Sequence, residues 1–376
     1  MRSVRLIAAA ASLTLAALAG IGPASADVPS AVAILQAGAK QGVLDGYPGE
    51  IGLVRQGDST TYIHEGNGTV TGSVPADPQA LFRIGSNTKA FVSTVLLQLE
   101  AEGRLSLDDS VAKWLPNAVT ANGYDGSKIT VRELLNHTSG LPDYLPLVAL
   151  TWRANLNPNQ SFAPQDLVNL ALNSRKPTTA PGQQWAYSNT GYLLAGMVIT
   201  AVTGNSPADE IQNRIITPLD LTHTSFPSGP GMSGTYLHGY QYVSDFLLLD
   251  STVSDVQITG TAGAMVSNMD DLAAFSRALL TGKLLPPAQE AELKTGVPTD
   301  NTGTSYYGLG IVHSQMPCGT WAWSHNGSVL GYFSTWASND DGTKQVVLVN
   351  NEYHLAQGTT GQRDTGTALM NAYCAL

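Results

Sequence analysis

Ser86-Asn87-Thr88-Lys89 sets a hydroxyl and an amine three residues apart. If a helix opens at Ser86, both side chains lie on one face and the amine can approach the hydroxyl. A serine is a weak nucleophile until a neighbour accepts its proton, and free backbone N–H groups at a helix N-terminus also favour developing negative charge. Val92, Val95, Leu96 and Leu99 form the apolar stripe of such a helix, and Gly103 ends it. The spacing alone carries little, because Ser110-Val111-Ala112-Lys113 repeats it after Asp108-Asp109, where it reads as a capped surface turn. Taken by itself, Ser86 serves equally well as a plain N-cap residue.

Tyr187-Ser188-Asn189, reached through Pro181-Gly182-Gln183-Gln184-Trp185, is a second element. A phenol with a pKa near 10 becomes a base or proton relay only where a cation such as Lys89 favours the phenolate. The plain alternative is that Asn189 caps a helix from Tyr192 to Thr203 while Tyr187 packs. The third element is a cationic residue on a strand, followed by a small residue and glycine. Lys294-Thr295-Gly296 ends a helical run and leads into Val297-Pro298, which cannot be a central strand. His325-Asn326-Gly327 runs straight into a strand from Val329 to Ala337, with Gly327 permitting close approach of a ligand, so His325 is the expected residue.

Other chemistries lack their patterns. Gly229-Pro230-Gly231-Met232-Ser233-Gly234 spells a dinucleotide fingerprint, but no strand precedes it and Pro230 occupies the turn. There is no Gly-x-Ser-x-Gly, and the seven histidines have no metal-binding spacing, so neither metal nor cofactor is expected. The 376 residues carry 19 Lys plus Arg against 29 Asp plus Glu, which argues against a nucleic-acid or anionic-membrane surface. With 43% hydrophobic residues the chain can bury a sizeable core.

These groups need elements to hold them. Arg2, Arg5, the apolar run Leu6 to Ile21 and Pro23-Ala24-Ser25-Ala26 read as a signal peptide, residues 1–26, shorter than the roughly 20 apolar residues that span a bilayer. The expected mature protein is secreted, unanchored and monomeric. A helix from Val28 to Lys40 stops at Gly42, and strands Glu50 to Arg55 and Thr60 to Glu65 flank a turn at Gly57-Asp58-Ser59. Ser328 to Ser338 and Lys344 to Asn350 form a second hairpin, and Thr359 to Tyr373 closes with a helix. The middle shows short helical patterns between Pro- and Gly-rich loops and no convincing hairpin; Thr130 with Glu133 is a capping box there. The expectation is an α/β (α+β) fold whose antiparallel sheet, flanked by helices, is built from both chain ends (27–104 and 262–376), with a mostly helical insertion at 105–261. Cys318 and Cys374, an even pair in an exported chain, are expected to form one disulfide.

In this order and at these separations, Ser86-Asn87-Thr88-Lys89, Tyr187-Ser188-Asn189 and His325-Asn326-Gly327 resemble the serine penicillin-recognising family of D-alanyl-D-alanine carboxypeptidases, class C β-lactamases, esterases and D-aminopeptidases. Leu134 to Leu141, Pro181-Gly182, Thr261-Ala262-Gly263 and Tyr307-Gly308-Leu309-Gly310 look like recurring family stretches. His in the third motif and the placing of the cysteines are most similar to the secreted bacterial DD-carboxypeptidases. The resemblance implies a β-lactamase/transpeptidase-like fold and an acyl-enzyme on Ser86, with Lys89 and Tyr187 sharing the proton transfers. It also implies an oxyanion hole from the backbone N–H groups of Ser86 and Ser328 beside Gly327. Asn189 would bind the acyl-side amide, and His325 would bias Tyr187 and orient the leaving side. The implied substrate is a D-Ala-D-Ala peptide, with β-lactams as inhibitors; esterase, D-amidase or β-lactamase chemistry on the same scaffold is the alternative, and a penicillin-binding sensor without turnover a third. One feature departs: a terminal carboxylate is commonly received by an arginine near the third motif, and the expected strand Gly308 to Ser314 carries no Arg or Lys, only His313.

Overall fold

The computed structural model describes residues 30–147, 162–244, 247–352 and 360–376; the expected leader, Met1 to Ala26, lies outside them. Helix α1 (Ala31–Leu44) precedes β1 (Gly49–Gln56), β2 (Ser59–Thr69), β3 (Val74–Pro75) and β4 (Phe82–Arg83). Helices α2 (Thr88–Ala101), α3 (Val111–Trp114), α4 (Val131–Leu135), α5 (Pro164–Ser174), α6 (Asn189–Thr203) and α7 (Pro207–Ile211) fill the middle. A hairpin of β5 (Tyr240–Ser244) and β6 (Leu247–Asp250), then β7 (Val266–Ser267), α8 (Met269–Leu280) and α9 (Pro287–Lys294), lead back to the sheet. Its remaining strands are β8 (Val297–Pro298), β9 (Ser305–Tyr307), β10 (Val312–Gln315), β11 (Trp321–Val329), β12 (Tyr332–Ser338) and β13 (Lys344–Asn350), and α10 (Thr360–Cys374) closes the chain.

As the sequence leads one to expect, strands from both chain ends form one antiparallel sheet, in the order β3-β2-β1-β13-β12-β11-β10-β9-β8. The central strand β13 is apolar without alternation because both of its faces are covered. Val346 and Leu348 pack with Leu35 of α1 and Leu369 of α10, whereas Val347 and Val349 join the core around α2. In α2 the stripe Val92, Val95, Leu96 and Leu99 is fully buried, each side chain contributing about 1.5–3 kcal/mol. Only a few residues of α2 reach solvent at all, and α6 is nearly as enclosed. Both helices are buried on most of their surface and lie inside, where the sheet meets the helical region.

The capping box at Thr130 and Glu133 forms, and α6 ends at Gly204 in the left-handed conformation. Four expectations need correction. Gly42 does not stop α1: it sits within the helix, where a Cβ would overlap the Glu50 carboxylate, so its smallness serves packing. The run from Ser328 to Ser338 is not one strand, since Leu330-Gly331 turns the chain from β11 into β12, with Gly331 at φ +80°. His325-Asn326-Gly327 therefore lies inside β11 rather than ahead of a strand. Gly308 to Ser314 is likewise a turn followed by β10, and the helical region does contain a hairpin, β5–β6.

Cys318, between β10 and β11, is joined to Cys374 at the end of α10, closing a separation of 56 residues. Replacing both by serine is expected to lower the unfolding free energy by about 2–5 kcal/mol. Urea unfolding of the two forms measures it; equal midpoints would mean that the packing of α10 alone fixes the chain end.

Candidate active site

Ser86 sits in a 3-10 turn, Gly85–Asn87, that runs directly into α2. The turn lies against β11 because neither facing residue has a side chain. A Cβ on Gly85 would meet the Ser328 backbone nitrogen at 2.8 Å, and one on Gly327 would overlap the Ile84 carbonyl oxygen. Gly85 also takes φ +51°, a conformation that side-chain-bearing residues rarely adopt. Asn87 fastens the turn to β12: its Nδ2 donates to Ile84 O and Ser334 Oγ, both at 2.9 Å, and its Oδ1 accepts from Trp336 Nε1 at 3.0 Å. No side chain caps α2, so the Ser86 hydroxyl is not spent on the helix end.

That hydroxyl is held from two sides. Lys89 Nζ lies 3.0 Å from Ser86 Oγ, and the Tyr187 hydroxyl donates to the same oxygen at 2.8 Å. Lys89 Nζ also donates to Asn189 Oδ1 at 2.8 Å and to Ala262 O at 2.7 Å. Burial of Lys89 lowers its pKa to about 7, against the pull of the Asp143 carboxylate, so near neutrality much of it is an uncharged amine. With two hydrogens directed at Asn189 and Ala262, the lone pair of that amine faces Ser86 Oγ. The phenol of Tyr187 is pushed well above its ordinary value by burial, although Lys89 Nζ stands 4.8 Å from its ring centre. It remains a hydroxyl and a donor. Asn189 is the first residue of α6, with Ser188 at the N-cap, so its amide is likewise free to face the site.

His325 differs from expectation. It is buried on β11, and burial together with the nearby Lys89 lowers its pKa to about 3, so it is neutral rather than cationic. Its Nδ1 lies 2.6 Å from the Asn326 carbonyl oxygen, which can only accept, so Nδ1 carries the proton. The other nitrogen, Nε2, then accepts from the Tyr307 hydroxyl at 3.0 Å; its hydrogen-bonding neighbour is Tyr307 and not Tyr187. Gly327 and Ser328 follow on the same strand, beside Gly85.

Three residues that sequence reasoning gave no role belong to this cluster. Tyr307 bonds His325; Asp143 Oδ2 accepts from Asn189 Nδ2 at 3.0 Å; and the His137 ring packs against that of Tyr187, tilted by 37° with ring centres 4.2 Å apart. Tyr307 and His137 lie in stretches already noted for their letters, but only the folded contacts assign them. The discarded candidates are occupied elsewhere. Lys294 pairs with Glu290 on α9, Lys113 pairs with Asp109, and His313 stacks on Trp323. Gly229 to Gly234 is a loop that lines a cavity of about 700 Å³ with Thr222, His223 and Ser225, away from Ser86. Among the described residues no cluster of His, Cys, Asp or Glu suits a metal ion.

The Beta-lactamase family model matches residues 24–365. Penicillin-binding protein 4* of Bacillus subtilis (strain 168) is 29% identical over 316 residues, 80% of this chain and 67% of that protein. Protein flp of Staphylococcus aureus (strain MRSA252) is 31% identical over 56% of this chain, which spans only 41% of that relative. Among solved structures, a D-stereospecific amidohydrolase from Streptomyces sp. superposes with TM-score 0.83 at 35% identity, covering 91% of this chain and 98% of that one. A D-amino acid amidase from Ochrobactrum anthropi SV3 gives TM-score 0.79 at 25% identity, covering 92% and 98%.

The neutral, buried His325 has a consequence for stability. Between about pH 6.5 and its folded value near 3, the unfolded chain binds a proton that the folded chain does not, so stability falls as pH falls through that window. His325→Gln should lose less stability than the unaltered protein between pH 7 and pH 4. Urea midpoints at both pH values test this, and parallel losses would show that His325 is already charged when folded.

Proposed function

The chain belongs to the Beta-lactamase family of serine hydrolases, and on that footing we propose that it cleaves amides on the carbonyl side of a D-amino-acid residue, through an acyl-enzyme at Ser86. The observation that carries this reading is Ser86 Oγ held between the Lys89 amine at 3.0 Å and the Tyr187 hydroxyl at 2.8 Å. Lys89 takes the hydroxyl proton as Oγ bonds to the substrate carbonyl carbon. The carbonyl oxygen becomes an oxyanion facing the backbone N–H groups of Ser86 and Ser328. Tyr187 gives its proton to the leaving nitrogen and regains one from Lys89 as the C–N bond breaks. Water then attacks the acyl-enzyme by the same proton path in reverse. A pKa near 7 suits Lys89 to the part of base, whereas the raised pKa of Tyr187 suits it to donating.

Substrate charge separates the two leading readings. Among the described residues, no Lys or Arg other than Lys89 has a hydrogen bond or ring contact with Ser86, Tyr187 or His325, and His325 is neutral. The Asp143 carboxylate stands beside Asn189. This balance favours a free α-ammonium on the acyl side over a free carboxylate on the leaving side, as in the D-amino acid amidase likeness. D-alanyl-D-alanine carboxypeptidase is the second reading, supported by the similarity to penicillin-binding protein 4*; hydroxyls such as that of Ser328 would then receive the carboxylate. Export to an oxidising compartment is also proposed, and the Cys318–Cys374 disulfide supports it.

A fluorescent penicillin should label the protein covalently, and Ser86→Ala should abolish the label; a signal that persists would sink the assignment of Ser86. The labelling rate should rise with pH along a limb centred near 7, following the loss of a proton from Lys89. Asp143 favours the charged form of Lys89, so Asp143→Asn should move the limb to lower pH; movement to higher pH contradicts the electrostatics. D-phenylalanine amide should be hydrolysed at least ~10-fold faster, by kcat/KM, than its L enantiomer and than an N-acyl-D-Ala-D-Ala peptide. Preference for the peptide would hand the function to the carboxypeptidase reading.

A further inference from the structure

We propose that His137 is the positioning residue that holds Tyr187 on Ser86, gripping the backbone on both sides of the tyrosine while its ring supports the phenol. The proposal rests on the reading that Tyr187 moves protons to and from Ser86, and adds the device that keeps it in place. Tyr187 needs one. The segment from Gln184 to Ser188 has no regular secondary structure, so no sheet or helix ladder fixes it. Its neighbours are fixed by one residue instead. Ala186 N donates to the His137 carbonyl oxygen at 2.8 Å, and Ser188 N donates to His137 Nδ1 at 3.2 Å.

One residue can make both contacts because of an unusual backbone. His137 has φ +62°, in the left-handed region, which a non-glycine residue holds only where its surroundings enforce it. The surroundings here are the end of α4, where Asn136 N donates to Arg132 O and Thr138 N to Glu133 O. Between the two anchored amides, the imidazole lies 4.2 Å from the Tyr187 ring centre and 4.6 Å from that of Tyr307. Acceptance of a hydrogen bond at Nδ1 requires a neutral ring with its proton on Nε2. Complete burial and the neighbouring Lys89 favour that neutral form. Nε2 has no hydrogen-bond partner among the described residues, so the ring's polar contact with the protein is made through Nδ1.

Two substitutions separate the nitrogens. His137→Asn keeps an acceptor near the Nδ1 position and, of the common side chains, tolerates positive φ well. His137→Gln carries its polar group out to the Nε2 position and leaves the Ser188 amide without an acceptor. The Asn variant should acylate with fluorescent penicillin within about threefold of the unaltered rate, and the Gln variant should be slower by ~10–100-fold, the scale of a misplaced catalytic group. In a Tyr187→Phe background the Gln substitution should cost less than threefold more, because it acts through the phenol. Hydrogen exchange of the Ser188 amide, followed by NMR in serine-labelled protein, should be at least tenfold faster in the Gln variant and unchanged in the Asn variant. That readout needs no activity, so it judges the clamp even if the protein takes no penicillin. Additive losses in the Tyr187→Phe background, rescue by Gln rather than Asn, or unaltered Ser188 exchange in the Gln variant would each overturn the proposal.

Discussion

The amine of Lys89 is held out of water, and the arrangement around Ser86 depends on that. Burying an isolated ammonium costs several kcal/mol, so a fold that buries one must lower its charge or surround it with acceptors. Here both occur. The pKa falls to about 7, while Asn189 Oδ1 and Ala262 O receive two of the amine's donor positions and Asp143 stands behind Asn189. One direction remains, and Ser86 Oγ occupies it. A lysine three residues from a serine on an exposed helix would keep a pKa near 10.4 and be a poor base at neutral pH. The spacing therefore supplies chemistry only because α2, α6 and the turn Val256–Ala262 converge on the amine.

Convergence sets the shape of the rest. To bring Lys89 inside, α2 must be enclosed on nearly every side, which explains a buried helix between the sheet and the helical region. To keep Ser86 at the edge of that enclosure, the turn before α2 must lie on β11 at backbone distance, and Gly85 and Gly327 remove the side chains that would hold it off. A neutral His325 fits the same constraint. An imidazolium there would repel the Lys89 ammonium and also face the cost of burial, so the ring stays uncharged and accepts from Tyr307. The third motif position thus contributes an oriented acceptor rather than a charge.

Much of the fold was legible because its signals are local. The β1–β2 hairpin shows its turn at Gly57-Asp58-Ser59, α4 its capping box, and α6 its terminal glycine, and each needs only neighbours in sequence. The turn at Leu330-Gly331 was hidden because strand-forming residues flank a lone glycine on both sides. Gly42 misled for the opposite reason: a glycine has no local signature that tells a helix end from a close contact, and here the contact is with Glu50 on β1. Ser86, Lys89, Tyr187 and Asn189 stood out by spacing, and the fold draws them together. The charge of His325 could not be read from letters, since burial by remote strands decides it. His137 and Asp143 were visible as letters, while their contacts with Tyr187 and Asn189 are made only in the folded chain.

The scarcity of cations now acquires a specific meaning. A chain of net charge −10 repels anionic ligands at long range, and solution salt screens that field beyond about 8–10 Å. Selection between a substrate with a free carboxylate and one with a free ammonium is therefore decided inside the site. There burial favours the uncharged forms of Lys89 and His325, and the Asp143 carboxylate accepts a hydrogen bond from Asn189. Burial acts on all three: it favours the uncharged forms of Lys89 and His325 and also raises the Asp143 pKa, there against hydrogen bonds from Leu145 N and Asn189 Nδ2 and the nearby Lys89 charge that favour the carboxylate. The enclosure that suits Lys89 to the proposed part of base thus also weakens the positive charge that could hold a carboxylate, so the proposed preference for ammonium over carboxylate and the proposed activation of Ser86 share one physical origin.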